Sequence, residues 1–259
     1  MGMSDWETLQ PLARTLPGRP LFLTISGAHL YGFPSPDSDV DLRGVYVLPP
    51  QALLGLDPPV ETVSQTTLYA GVEVDLVAHD LKKFLDLLLH KNGYVLEQLY
   101  SPLVVAGGAE FEELRALAQG AITRHVQHHY AGFARHRLHE FAAESPRRVK
   151  TLLYVYRVLL TGIHLLRTGE VEANLLHLYP AFDLPFIPDL IAQKAAERAA
   201  LDESALPHYQ QSIERLQAEL EAAFAASPLP EEPANRPALN DFLLRMRFRG
   251  NTFQITATA

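Results

Sequence analysis

The sequence predicts an α/β (α+β) protein, a strand-bearing half of about 105 residues followed by a helical bundle. Three observations carry this. Up to about residue 80, short β-rich runs alternate with turn residues. From about residue 109 to 226 the apolar period becomes helical. The 259-residue chain is 47% hydrophobic and 20% charged, ordinary globular usage with room for a sizeable core.

The elements follow in order. LFLTIS (21–26), VDLRGVYVL (40–48) and GVEVDLVAH (71–79) are rich in branched and aromatic residues, are bounded by Gly, Pro, Asp and Ser, and read as strands. A helix over 81–89 places Leu81, Phe84, Leu85, Leu88 and Leu89 on one face, with Asp80 as its N-cap. A second helix over 93–100 stops before Pro102. Residues 108–145 read as one or two long helices. Pro146 then opens the next, with Ser145 as N-cap, and Gly169 ends it. After the Pro-punctuated connection LYPAFDLPFIP, two further helices cover 190–203 and 206–227. PLPEEPANRPALN is a Pro-rich linker, and NDFLLRMRFR closes the chain as a short helix or a strand. The domain boundary falls between 1–108 and 109–259.

Composition narrows the function. There is no cysteine, which removes disulfides, thiolate zinc sites and cysteine nucleophiles and fits a cytoplasmic location. The first residues are polar and acidic, unlike a signal peptide, and no membrane span is expected. Residues 1–110 hold 13 acidic and 6 basic side chains, most of the net charge of −8. Such a half is no nucleic-acid surface by itself but suits a metal-binding role.

The acidic stretch is SGAHLYGFPSPDSDVDLRGVY, 26–46. On a strand, Asp39 and Asp41 point to one face. Two carboxylates so close repel, and a divalent cation resolves the conflict. Oxygen ligands without cysteine favour Mg²⁺ or Mn²⁺. The third carboxylate is expected from a neighbouring strand, Asp75 in preference to its same-face rival Glu73. Three such groups suit metal-assisted phosphoryl transfer. At the turn of Ser26, Gly27 and Ala28, Gly27 admits close backbone approach, and free N–H groups there suit triphosphate oxygens. Arg43 shares the face, to pair with a phosphate or to brace Asp39 and Asp41. A calcium loop is excluded, because its sixth and twelfth positions would be Leu42 and Leu48 rather than Gly and Glu. Asp37 shapes the turn with Pro36 and Ser38.

Gly27-Ala28, ten residues, then Asp39-x-Asp41 resembles the signature of the DNA polymerase β-like nucleotidyltransferase superfamily. The longer form, with GAHLYG, PDSDVDLRG, LKKFLDLLLHKNGYVLEQLYSP and KTLLYVYRVLLTGIHLLRTGE, is similar to the branch of predicted nucleotidyltransferases linked to RNA repair. The resemblance implies a small mixed β-sheet palm carrying the carboxylates, closed by a C-terminal helical bundle. It implies Asp39, Asp41 and Asp75 as catalytic metal ligands, Asp75 as general base, and a nucleoside triphosphate as substrate. It also implies nucleotide contacts from Lys150, Tyr154 and Arg157, which recur on one helical face. The family's usual Ser is Ala28 here, so a hydroxyl contact is missing unless Ser26 or His29 supplies it. The expected reaction transfers a nucleoside monophosphate to a hydroxyl at an RNA or tRNA end. A protein or small-molecule acceptor, or an inactive nucleotide-binding regulator, are the alternatives. His125, His128, His129, His136 and His139 are read as a surface rather than a zinc site, and the basic segment 124–150 as a resting place for a polyanion.

Overall fold

The structure, a computed structural model, describes residues 6–196 and 200–249. The chain opens on a 3-10 segment, Trp6–Thr15. Five strands then form one mixed sheet: β1 (Arg19–Ile25), β2 (Val40–Val47), β3 (Thr62–Tyr69), β4 (Val72–Asp80) and β5 (Val104–Ala106), in the order β3-β4-β2-β1-β5. β2 and β4 run parallel, with Asp41 opposite Asp75, and the other pairs are antiparallel. β3 and β4 form a hairpin over Ala70 and Gly71, both with positive φ (50° and 81°), as a tight primed turn requires. The palm also carries helices α1 (Gly27–Leu30), α2 (Pro50–Leu54), α3 (Leu81–Leu89) and α4 (Gly93–Tyr100). Asp80 caps α3 as expected, accepting from the Lys82 N–H at 3.0 Å.

The remaining helices are α5 (Ala109–Ala118), α6 (Gln127–Ala143), α7 (Val149–Thr168), α8 (Leu175–Leu178), α9 (Ile187–Ala195), α10 (Leu206–Ala226) and α11 (Arg236–Phe248). The chain's last described element is therefore a helix. α7 starts at Val149, not at Pro146. Its first turn is satisfied by Glu144, which accepts from the Arg148 N–H at 2.9 Å and the Thr151 hydroxyl at 2.6 Å, so Ser145 is no cap. Gly169 ends α7 in the left-handed conformation, φ 76°. By length and composition α7 is apolar enough to cross a bilayer, against the sequence expectation, but 83% of that window is buried inside the protein.

Alternation along the strands divides the core. Even positions of β2 and β4, such as Leu42, Val74 and Leu76, pack with Trp6 and Leu9 on one side of the sheet. Val45 and Val47 face the opposite side, into a core shared with α3, α5 and α7. The helical half and the palm are thus packed on one continuous interior. α11 returns to the palm, where Arg247 donates to Asp80 at 2.7 and 2.5 Å and to the Leu48 carbonyl at 2.8 Å.

Candidate active site

On β2 one face changes character along the strand. Asp41 and Arg43 come first and are half-buried; Val45 and Val47 follow, inside the core. The parallel partner sets Asp75 in register with Asp41, on strands about 4.8 Å apart. Asp39 lies two residues upstream, exposed. Gly27 is fixed from below. The Ser26 N–H donates to the Asp41 carbonyl at 2.8 Å, Gly27 has φ +61°, and a Cβ there would stand 1.7 Å from Asp41 Oδ2. The close approach that requires glycine is therefore made by the Asp41 carboxylate, not only by a ligand.

Arg43 braces Asp41 and Asp75 rather than Asp39 and Asp41. Its Nη2 donates to Asp41 Oδ1 and reaches Asp75 Oδ2 at 3.3 Å, while Nη1 donates to the Asp75 carbonyl at 2.6 Å. Burial raises the pKa of Asp41; Arg43 opposes this, and Asp39 and Asp75 add to it. The three carboxylates therefore carry more negative charge than one guanidinium answers. In kind, this oxygen donor set fits a hard divalent cation. With Arg43 lying across Asp41 and Asp75, no group of three metal-ligating side chains closes on one point among the described residues. The fit thus requires Arg43 to leave the gap.

Two cavities adjoin this strand. The first, about 570 Å³, takes Ser26, Gly27, Asp41 and Arg43 from the palm, and Tyr94, Phe133, Arg137, Tyr154 and Arg157 from the helices. Burial pushes the Tyr154 phenol up to about 12, so it is neutral. Arg157 is locked: Nη1 donates to Glu97 Oε1 at 2.6 Å, and both side chains are 1% exposed. The Tyr31 ring lies 4.0 Å from its guanidinium carbon, and the Tyr31 hydroxyl donates to Glu97 Oε2 at 3.0 Å. Arg157 Nε and Nη2, with Arg137 Nε, have no hydrogen-bond partner among the described residues. They are buried donors on residues that line the cavity.

The second cavity, about 530 Å³, is lined by Asp39 with Asp37 and Glu73 from the palm, and by Arg148, Lys150 and Lys194 from the helices. Lys150, expected on the same ligand as Tyr154 and Arg157, thus lines a different cavity from theirs. Asp75 faces Asp41, while Glu73 belongs to the second cavity. Ala28 is buried in the larger core. His29 packs edge-on against Trp6, ring centroids 5.2 Å apart, and lines neither cavity, so only Ser26 brings a hydroxyl to the turn.

Sequence reasoning missed Glu97 and Lys194 and took Arg137 only as part of the basic segment 124–150. Glu97 had a local signal, a charge in the apolar helix GYVLEQLY; Lys194 had none. Of the histidines, His125 does have an acidic partner, Glu231 at 2.7 Å, and His136 pairs with Glu140 at 3.2 Å. His129 packs on Tyr94 and Tyr130.

A model of the RNA repair pathway DNA polymerase beta family matches residues 1–245. The uncharacterized protein MJ0002 of Methanocaldococcus jannaschii is 32% identical over 165 residues, 60% of this chain and 63% of that protein. The uncharacterized protein YcgL of Bacillus subtilis is 28% identical over 137 residues, 52% of each. The chain therefore spans between about half and 63% of the length of these relatives. A solved nucleotidyltransferase-like protein from Exiguobacterium sibiricum aligns over 86% of this chain and 75% of its own, at 13% identity and a TM-score of 0.35, too distant a likeness to bear on function.

Proposed function

Since this chain belongs to the RNA repair pathway DNA polymerase beta family, we propose that it is a nucleotidyltransferase moving a nucleoside monophosphate from a nucleoside triphosphate to a hydroxyl at an RNA or tRNA end. The observation that supports this most is the carboxylate face of β2 and β4. Asp41 and Asp75 stand in register, with Asp39 just upstream, beside a cavity rimmed by rings and guanidinium groups.

The acceptor oxygen bonds to the α-phosphorus, the bond from that phosphorus to the bridging oxygen breaks, and pyrophosphate leaves with the electron pair. The hydroxyl proton passes to Asp75 as general base. Asp39, Asp41 and Asp75 would hold Mg²⁺ or Mn²⁺, which would supply charge neutralisation at the phosphoryl oxygens. Arg43 turns from Asp41 and Asp75 toward a phosphate oxygen, where its planar fork suits two acceptors. The Gly27 backbone N–H and the Ser26 hydroxyl orient the triphosphate. The Tyr154 ring borders the nucleobase, and the partly exposed Arg137 meets polar atoms of the nucleotide, with Arg157 held behind it by Glu97.

The test is incubation with each labelled triphosphate and Mg²⁺ or Mn²⁺, offering RNA, protein or no acceptor. Label on RNA, lost when Asp39 and Asp41 are both replaced by Ala, is the expected outcome. Label on protein alone overturns the RNA acceptor. A second reading, a nucleotide-binding regulator without turnover, is favoured by Ala28 and by Arg43 bridging Asp41 and Asp75. Nucleotide bound with no label transferred to any acceptor selects it.

A further inference from the structure

Lys194, on α9, is 8% exposed, and its ammonium donates to the Ser35 hydroxyl at 2.9 Å. Among the described residues no carboxylate stands within ion-pairing distance of it. Phe33 is the nearby ring, 5.9 Å from Nζ. A buried ammonium is costly unless a hydrogen-bonded counter-charge answers it. Arg247 has Asp80 and Arg157 has Glu97; Lys194 has a hydroxyl and an open cavity. Lys150 lines the same cavity and also lacks an ion pair among the described residues.

The arginines of the neighbouring basic segment are largely engaged. Arg124 pairs with Glu231 at 3.1 Å, Arg137 with Glu140 at 2.6 Å, Arg147 with Glu203 at 3.0 Å, and Arg148 with Glu144 at 2.7 Å. Among the described residues, the positive charge of this cavity without an ion pair therefore belongs to the two lysines, which share its lining with Asp37, Asp39 and Glu73. Among the described residues, the cavity's lining includes the hydroxyls of Ser35 and Ser38 but no aromatic side chain. It thus suits a phosphate and offers no ring on which a base stacks. The rings and the Gly27 turn line the other cavity. Asp41 of β2 lines one and Asp39, just before that strand, the other. In-line transfer places the attacking hydroxyl and the leaving pyrophosphate on opposite sides of the reacting phosphorus, so each needs its own binding region beside the carboxylates.

We propose that Lys150 and Lys194 bind a backbone phosphate of the acceptor RNA, beside the hydroxyl that is attacked. This rests on the RNA-end reading above. The test is binding of a labelled single-stranded RNA with a free terminal hydroxyl, by fluorescence anisotropy across a salt series, to wild type, Lys150→Gln and Lys194→Gln. Each substitution is expected to weaken RNA binding about fivefold near 0.1 M salt and to lower the salt slope by about 0.7, the loss of one phosphate contact. Loss of a merely structural brace would leave the slope in place. Nucleotide affinity of Lys194→Gln, read by calorimetry, stays at the wild-type value. Unchanged RNA affinity and slope in both variants overturns the proposal. So does weakened nucleotide binding with RNA binding intact, which assigns the lysines to the triphosphate. If wild type binds no RNA, the acceptor reading itself fails and takes this proposal with it. Lys150 is exposed, so its variant keeps the test decisive should Lys194→Gln not fold.

Discussion

Arginine meets carboxylate in two settings in this protein. Arg157–Glu97 and Arg247–Asp80 lie inside the packed interior, with side chains between 1% and 5% exposed. Arg43 meets Asp41 and Asp75 in a cavity wall, where the side chains are 17% to 33% exposed. The buried pairs join elements distant in sequence, α7 to α4 and α11 to the start of α3. Breaking one leaves a charge with no water to answer it. The cavity contact joins neighbours on two strands, and solvent reaches it, so its partners can exchange. One kind of pair fixes the architecture, and the other lies where solvent and a competing ligand can reach it.

Replacing one buried partner sharpens that contrast most. Glu97→Leu should lower stability by about 3–5 kcal/mol, read as a fall in the urea midpoint, because Arg157 is left charged and alone. The double replacement with Arg157→Leu should recover a large part of the loss; a fully additive double mutant would break the account. Next in size is Gly27→Ala. A methyl there meets Asp41 Oδ2 and the backbone is left-handed, so transfer should fall on the order of a hundredfold, with about 1 kcal/mol of stability lost to strain. Wild-type turnover in this variant would mean that the Asp41 position is not critical.

A smaller effect is expected from pH. Burial, and secondarily Arg157, depress His129 to about 4, against about 6.5 in the unfolded chain. The unfolded chain therefore binds more protons between these values. The contribution of neutral His129 is complete above about pH 6.5 and is lost as pH falls toward about 4, on the order of 1 kcal/mol by about pH 5 with the ring partly exposed. His129→Phe should flatten that slope in urea unfolding. The smallest stability change belongs to Arg43→Ala, within about 1 kcal/mol, but its Mn²⁺ affinity should rise, since Asp41 and Asp75 lose the cation between them. Weaker Mn²⁺ binding in that titration would show that Arg43 supports the metal instead of standing in for it.

Much of this was legible in local signals. β1, β2 and β4 announce themselves by branched residues between turn residues, α3 by its Asp80 cap, and the end of α7 by Gly169. β3 was missed because TVSQTTLY is a polar, half-exposed edge with little apolar alternation, and β5 because it has only three residues. The start of α7 was misplaced because its cap comes from Glu144, whose side chain reaches forward past Pro146, and not from the Ser-Pro pair. Strand period brings Asp41 and Asp75 together and a short motif marks Gly27, whereas Asp39, expected on the strand face of Asp41, falls just before β2 and lines the other cavity. The pairing of Arg157 with Glu97, the division of Lys150 from Tyr154 between two cavities, and the isolation of Lys194 depend on contacts across many residues. No spacing encodes those.

The most direct test of the central claim, that the β2–β4 carboxylate face is the reacting centre, is single-turnover transfer of labelled nucleotide to RNA by wild type and by Asp41→Asn, with thermal melting and nucleotide binding measured on the same preparations. The account predicts a folded, nucleotide-binding Asp41→Asn protein that leaves the RNA unlabelled, a loss of at least about a thousandfold. Transfer by Asp41→Asn at the wild-type rate would contradict it.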